Sequence, residues 1–373
     1  MRQTVSFAWK DSETAWQFST GVSLHGHTMH SEECLSFLPR YLHMVPGISQ
    51  IVSGFERGAD RVDFARAWWT PPLTPASALG VERKQIETMD LRPLVSLTDH
   101  DNIDAGMTLQ ATADPREVPI SMEWTVPFDR SIFHLGIHNL PLASAREWMS
   151  RLALFTSAPD EKLLPGILNE LGAIPDVLIV LNHPFWLEEG ITQLDHDCAL
   201  PRILRECLSS IHAFELNGTR VWKENGKVIE LARTYNRPLI SGGDRHACEP
   251  SACINLTNAG TFSEFVAEVR GGRSVPYFMP HYREPMALRI LETAWDILRP
   301  YPGYPGREKW TDRIFYLGKD GIARPLTEVW RERTPWLMTT PLSAATGFLQ
   351  LLTAPGLRVA MRQLLAERGE ILP

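Results

Sequence analysis

The sequence predicts an α/β fold: a (β/α) barrel of about seven strands with irregular closure, followed from about residue 285 by a helical C-terminal appendage. Two observations carry this. Short apolar runs alternate with stretches of helical spacing, which implies a parallel sheet. Most of the apolar runs also end in a residue able to bind metal. His25 and His27, His100, Glu123, His183, Glu215, and Asp244 with His246 stand at or just past such ends, while His134 sits inside its run. Ligand-type residues gathered at C-terminal strand ends point to one mouth of a barrel.

In chain order, residues 1–19 read as an N-terminal extension or edge strand. The first barrel strand is 20–25 and ends in His25-Gly26-His27; alternation along a strand puts the two imidazoles on one face. Apolar spacing predicts a helix over 55–69, then a proline-rich break at 69–75 and a helix at 78–89. Residues 93–97 form the next strand, ending in Thr98-Asp99-His100, with a helix over 103–111. Strand 117–122 delivers Glu123, and strand 131–137 carries His134. Ser144 and Glu147 have capping-box spacing for a helix over 144–155, and 161–171 is helical with Pro165 interrupting it. Residues 176–181 are the clearest buried strand and run into Asn182-His183-Pro184. A polar loop at 186–198 precedes helix 200–209. Strand 211–214 delivers Glu215, helix 228–235 follows, and strand 238–241 delivers Asp244-Arg245-His246. Thr261 and Glu264 cap a helix ending at Gly271-Gly272. Beyond the turn-rich 301–306, stretches 342–352 and 356–368 read as amphipathic helices.

The chain has 373 residues, a formal net charge of -7 and a pI near 6.0, which argues against a long nucleic-acid partner. No membrane-spanning run and no signal-peptide core are visible, so a cytoplasmic location is expected. The five cysteines lack Cys-x-x-Cys spacing and read as reduced thiols. Cys34 and Cys248 lie near the histidine motifs and have a stray ligand role as their alternative. Imidazole and carboxylate without thiolate suit Zn, Mn or Fe. Six of the twelve histidines fall in the strand-end pattern, and His30, His43, His138, His196, His212 and His281 read as structural or surface residues.

Taken as an ordered set, His25-Gly-His27-Thr with Ser31-Glu32, Thr98-Asp99-His100-Asp101-Asn102, Glu123, His134, Asn182-His183-Pro184, Glu215-x-Asn217 and Gly243-Asp244-Arg245-His246 resembles the motifs of the polymerase and histidinol phosphatase (PHP) family. The resemblance runs from residue 20 to about 250. It implies a distorted seven-stranded PHP-type barrel over 1–284. Two insertions, at about 37–80 and 140–172, depart from the family's spacing and are expected near the substrate pocket, the first as a lid or wall carrying Trp68-Trp69. The resemblance also implies two or three divalent ions. His25, His27, Glu123 and Asp244 would hold one; Glu123 would bridge to a second bound by His134 and His183; Glu32, His100 and His246 would take the third. Glu32 stands where the family usually has Asp or His.

The implied activity is hydrolysis of a phosphoester, of a small phosphomonoester or nucleotide, by a metal-activated hydroxide. Three divalent ions against Glu32, Glu123 and Asp244 would leave about +3 to attract phosphate. Arg220 and Arg245 are candidate phosphate clamps, with a salt bridge as the plainer role. Asp99 and Glu215 are candidates for orienting the ligands. The alternatives are a phosphodiesterase or exonuclease working on oligonucleotide ends, and a non-catalytic metal-binding partner of a larger assembly with the C-terminal helices as its surface. Those helices are also a candidate oligomer contact.

Overall fold

The structure, a computed structural model, describes residues 5–36 and 63–333 and five positions between 356 and 363. It is a mixed α/β protein whose residues cluster into two compact units. The first is built from the described residues of Met1–Ser31 and Leu73–Met286, the second from those of Glu32–Pro72 and Ala287–Leu364. Residues 37–62, the expected helix at 342–352 and most of 356–368 lie outside the described residues.

The first unit contains two five-stranded sheets. One runs in the order Ser6–Phe7, Val275–Phe278, Cys253–Thr257, Thr20–Leu24, Arg92–Ser96. The other runs Leu239–Gly242, Ala213–Asn217, Leu178–Asn182, Ser131–Leu140, Ile120–Phe128. Thr20–Leu24, Leu178–Asn182 and Ala213–Asn217 are buried at every position. The sheets are separate ladders whose edges meet at isolated bridges. Gly26 pairs with Arg245, and His100 pairs with Glu123.

The expectation of a parallel sheet holds only in part. Thr20–Leu24 pairs in parallel with Arg92–Ser96, and Leu178–Asn182, Ala213–Asn217 and Leu239–Gly242 are parallel to one another. Ser131–Leu140, however, is antiparallel to both its neighbours. The cause is local: Phe128 pairs with Ser131 across a two-residue turn whose first residue, Asp129, has φ +56°, the backbone such hairpins require. The strand is also longer than expected. Glu123 stands in the body of this hairpin, opposite Gly136, rather than at a strand end.

The helices start where their caps dictate. Thr74, Thr192 and Thr261 each accept a hydrogen bond from the backbone three residues on, and Pro75 opens its helix. Ser144 makes no side-chain cap bond, so the predicted capping box is not formed. Pro165 does not interrupt a helix; it sits in the first turn of Leu164–Gly172, where its missing N–H costs nothing. The predicted loop 186–198 is helical from Gln193, and Pro201 lies inside Gln193–Cys207. The helices of the 140–172 insertion bury Leu152, Phe155, Leu164 and Leu168 in the main core, and Trp124 Nε1 donates to Leu152 O at 3.1 Å. They back the hairpin that carries Glu123.

His212 gives this unit a pH dependence. Its Nδ1 accepts from Ile179 N at 2.9 Å, so the ring is neutral in the fold. Burial, then the charges of Arg270 and Arg237, lower its pKa to about 4. The unfolded chain binds this proton more tightly, so the contribution is complete above about pH 6.5 and is lost as pH falls toward 4, at no more than about 1.4 kcal/mol per pH unit. Urea midpoints at pH 7 and pH 5 should fall further apart in the wild type than in a His212→Gln variant; equal losses would contradict this assignment.

The second unit holds a four-stranded antiparallel sheet in the order Ala323–Pro325, Ile314–Leu317, Ala67–Trp69, Glu33–Cys34, with helices Met286–Leu298 and Leu326–Arg333. The helix expected over 55–69 is corrected where it is described: Phe64–Arg66 is a single 3₁₀ turn and Ala67–Trp69 a strand. Long-range pairing with Ile314–Leu317 overrides the local spacing, and Trp68 stacks on Phe315 with centroids 5.9 Å apart. Trp68 and Trp69 are thus sheet residues rather than a free lid, and the expected helical appendage also carries strands. Among the described residues no helix is long and apolar enough to cross a membrane.

Candidate metal centre

Glu123 is fully buried, and five imidazoles converge on it. Its Oε2 lies 2.9 Å from His25 Nε2, 3.3 Å from His27 Nε2 and 3.5 Å from His100 Nε2. Its Oε1 lies 3.0 Å from His183 Nε2 and 3.5 Å from His134 Nδ1. Asp244 closes the opposite side, with Oδ1 3.7 Å from His25 Nε2, 3.6 Å from His27 Nε2 and 3.5 Å from His246 Nδ1. The imidazole of His246 stacks on that of His27, ring centroids 4.1 Å apart.

Local backbone geometry aims these groups. His25, His183 and Asp244 have φ of +60°, +24° and +48°, conformations uncommon for non-glycine residues. Each follows directly on a strand or lies within two residues of its end, so the chain turns sharply and presents the side chain inward. Glu123 needs no such turn, because the pleat places it on the same face as His134 and Gly136 of the partner strand.

Further contacts fix the ligand-type groups. Glu215 Oε1 is 2.5 Å from His25 Nδ1, and its Oε2 accepts from His183 N and Asn217 Nδ2. Asp244 Oδ2 accepts from Asn217 Nδ2, Thr219 Oγ1 and Arg220 Nη2 at 3.0–3.2 Å, which leaves Oδ1 for the histidines. Asn182 Nδ2 donates to Glu123 Oε1 at 3.0 Å. Asp99 accepts from Thr28 N and Oγ1, which pins the segment after His27. Ser31 Oγ lies 3.2 Å from His27 Nδ1 and accepts from His100 N.

Charge follows from these contacts. Burial raises the Glu123 pKa, but His25, His100 and His134 outweigh it and hold the group well below the usual carboxylate range. Asp244 is likewise held well below its ordinary value, with Arg220 and His25 opposing burial. Burial lowers His25, but Glu123, Glu215 and Asp244 raise it well above the usual imidazole value. His134 stays well below it through burial.

The donor set fits divalent metal. A neutral imidazole has one N–H, yet His25 has a carboxylate oxygen against each nitrogen. One of these contacts sets lone pair against lone pair unless the ring is protonated or a cation lies there. Donor atoms around a tetrahedral ion bound at about 2.1 Å stand about 3.4 Å apart, close to the 2.9–3.7 Å seen between the histidines and Glu123 or Asp244. The donor atoms of His25, His27 and Asp244 lie within 4.8 Å of one another, as do those of His100, Glu123 and His134, and those of His25, His183 and Glu215.

Of the residues singled out in the sequence, the fold brings together His25, His27, His100, Glu123, His134, His183, Asp244 and His246, with Glu215 and Arg220 against them. Glu32 falls in the second unit and is exposed. Arg245 is not among the converging groups. It is buried, its Nε donates to Glu82 Oε1 at 2.8 Å and its Nη1 to Ala247 O, so it braces the His25–His27 turn as a salt bridge. Cys34 is exposed and Cys248 half-buried, and neither joins these groups. Glu82, Thr28 and Thr219 were not anticipated. Glu82 sits mid-helix with no motif around it, whereas Thr28 and Thr219 adjoin motif residues and could have been read as their supports. His196, read as structural, is buried, with Nδ1 2.9 Å from Ser131 Oγ and Nε2 2.9 Å from Pro184 O beside His183.

Fold and site together define a mixed α/β protein with a buried histidine–carboxylate cluster suited to divalent metal. Neither a protein-family model nor a curated protein matches the sequence. Among solved structures, PsfC from Pseudomonas syringae PB-5123 is similar over 74% of this chain and 97% of its own, with TM-score 0.43 and 14% identity. An amidohydrolase from Chromobacterium violaceum, with bound sulfate and no metal, is similar over 48% of this chain and 84% of its own, with TM-score 0.33 and 14% identity. A Bifidobacterium adolescentis protein assigned as a metal-dependent phosphoesterase is similar over 54% and 92%, with TM-score 0.31 and 12% identity. These likenesses are too distant to carry an activity across.

Proposed function

We propose that this protein is a metal-dependent phosphoesterase of the PHP type, acting on a small phosphomonoester or nucleotide. The observation that supports it most is the convergence of five imidazoles on the buried Glu123, with Asp244 opposite. In this reading seven strands form an irregular ring around the cluster: Thr20–Leu24, Arg92–Ser96, Ile120–Phe128, Ser131–Leu140, Leu178–Asn182, Ala213–Asn217 and Leu239–Gly242. The bridges His100–Glu123 and Gly26–Arg245 join its two arcs. His25, His27 and Asp244 would hold one ion and His134 and His183 a second, with Glu123 between them and His100 and His246 alongside. Glu32 has no part in this assignment.

Bound divalent ions would supply positive charge to the phosphoryl oxygens and acidity to the attacking water. The remaining work belongs to the chain. Glu215 holds the His25 ring by Nδ1 and the His183 turn by its backbone N–H, so one carboxylate sets two ligands. Asn182 orients Glu123, and Asn217, Thr219 and Arg220 leave one oxygen of Asp244 for metal. Arg220, beside Asp244, offers a guanidinium to a phosphoryl oxygen. In the net reaction water adds to phosphorus, the ester P–O bond breaks, and the alcohol leaves carrying a proton from the water. The net charge of -7 disfavours long nucleic acid as the substrate.

Protein purified without added metal should contain close to two equivalents of Zn, Mn or Fe by elemental analysis. It should hydrolyse an aryl phosphate, lose that activity to a chelator and regain it with Mn or Zn. A metal-free protein that remains active would overturn the proposal, as would a metal-replete protein with no turnover across a phosphoester panel.

A further inference from the structure

The candidate ligand His183 opens a tight turn that is closed by Trp186 N–H donating to His183 O at 2.8 Å, so the indole is carried three residues from the centre. Two contacts hold it. The Arg220 guanidinium lies over the ring, 3.7 Å from its centroid. That guanidinium is itself held by Asp244 Oδ2 at 3.0 Å, and the carbonyl of Arg220 accepts from Tyr282 Oη at 2.8 Å. The indole N–H donates to Glu188 Oε1 at 2.9 Å.

With one face covered by the guanidinium and the N–H edge bound, Trp186 still keeps 39% of its surface exposed. It shares a shallow recess with His134, Asn182, His183 and Glu188. An indole fixed on one side and open on the other, at the edge of a cluster built for charge, gives a flat apolar surface next to the reacting position. A cation behind the ring reinforces its hold on a second planar ring.

We propose that Trp186 is a specificity-determining residue that stacks a planar aromatic leaving group, so that the preferred substrates are phosphoesters of a ring-bearing alcohol or phenol. This rests on the phosphoesterase reading above and narrows its substrate class.

The test is the ratio of kcat/KM for phenyl phosphate to that for glycerol 2-phosphate, in wild type, Trp186→Phe and Trp186→Ala, with metal content measured for each. Stacking of one ring predicts that Trp186→Ala lowers the ratio about tenfold while Trp186→Phe keeps most of it. Any damage to Arg220 or to metal binding affects both substrates and cancels in the ratio. A ratio unchanged in Trp186→Ala overturns the stacking role, as does a wild type that prefers the glycerol ester; in either case the phosphoesterase reading stands. A metal-replete wild type that hydrolyses neither ester sinks both.

Discussion

Replacing Asp244 with asparagine is expected to lower kcat/KM by on the order of 10³-fold, the several kcal/mol that charge supplied by a metal contributes to a phosphoryl transition state. The side chain has no good orientation after the change. Asp244 Oδ2 accepts from Asn217, Thr219 and Arg220, while Oδ1 faces His25 and His27. If the amide oxygen keeps the three donors, the new NH₂ points at the imidazole nitrogens, satisfies them as a hydrogen-bond donor and stands where a cation would sit. If the amide turns over, its NH₂ meets three donors in a buried site, which costs roughly 1–3 kcal/mol. Either way elemental analysis should show at least one equivalent of metal lost, with the fold retained by circular dichroism. Full metal content and activity within a few-fold of wild type would remove Asp244 from the centre.

The second large effect is expected at Gly242, a residue with no functional group. A β-carbon at this position would overlap Glu215 Oε1 and come within 3.0 Å of the His25 Cβ. Glu215 is buried with its oxygens committed to His25, His183 and Asn217, so it has no second place to go. Gly242→Ala should therefore destabilise the protein by about 1–3 kcal/mol through overpacking. By releasing the group that orients two ligands, it should also weaken metal binding about 10- to 100-fold. Gly226→Ala is the control, since it lies in the helix Trp222–Tyr235 with open space at its β-carbon. It should leave metal content unchanged. If Gly242→Ala also keeps its metal, Glu215 does not work through His25.

Both expectations depend on partnerships that the sequence only partly discloses. His25 and His27 were legible because alternation along a strand is a local rule, and His100, His183 and Asp244 because apolar runs that end in a polar residue mark strand ends. Glu123 was found by the same rule for the wrong reason. It stands in the body of an antiparallel hairpin, delivered by the pleat and by the turn at Asp129. For Arg245 the plainer of its two readings, a salt bridge, is the one found, but its partner was hidden, because the sequence cannot show that Glu82, 163 residues away, waits for its guanidinium in the core. The reading of 55–69 as a helix failed where it can be checked, at 64–69, because pairing with Ile314–Leu317 decided the conformation.

The sequence by itself determined which residues of metal-ligand type accompany its apolar runs and roughly where most of the strands lie. Both are fixed by side-chain type and by the period of buried apolar residues, which are properties of short segments. Tertiary structure alone decided how those residues combine. It set Glu123 beneath five imidazoles, gave Glu215 to His25 and His183, turned Asp244 so that one oxygen is held and the other is left for the histidines, and laid Arg220 on Trp186. These choices join segments up to 219 residues apart, as between His25 and Asp244. They are fixed by register, by left-handed turns at strand ends and by the space left at one glycine, and no local pattern encodes them.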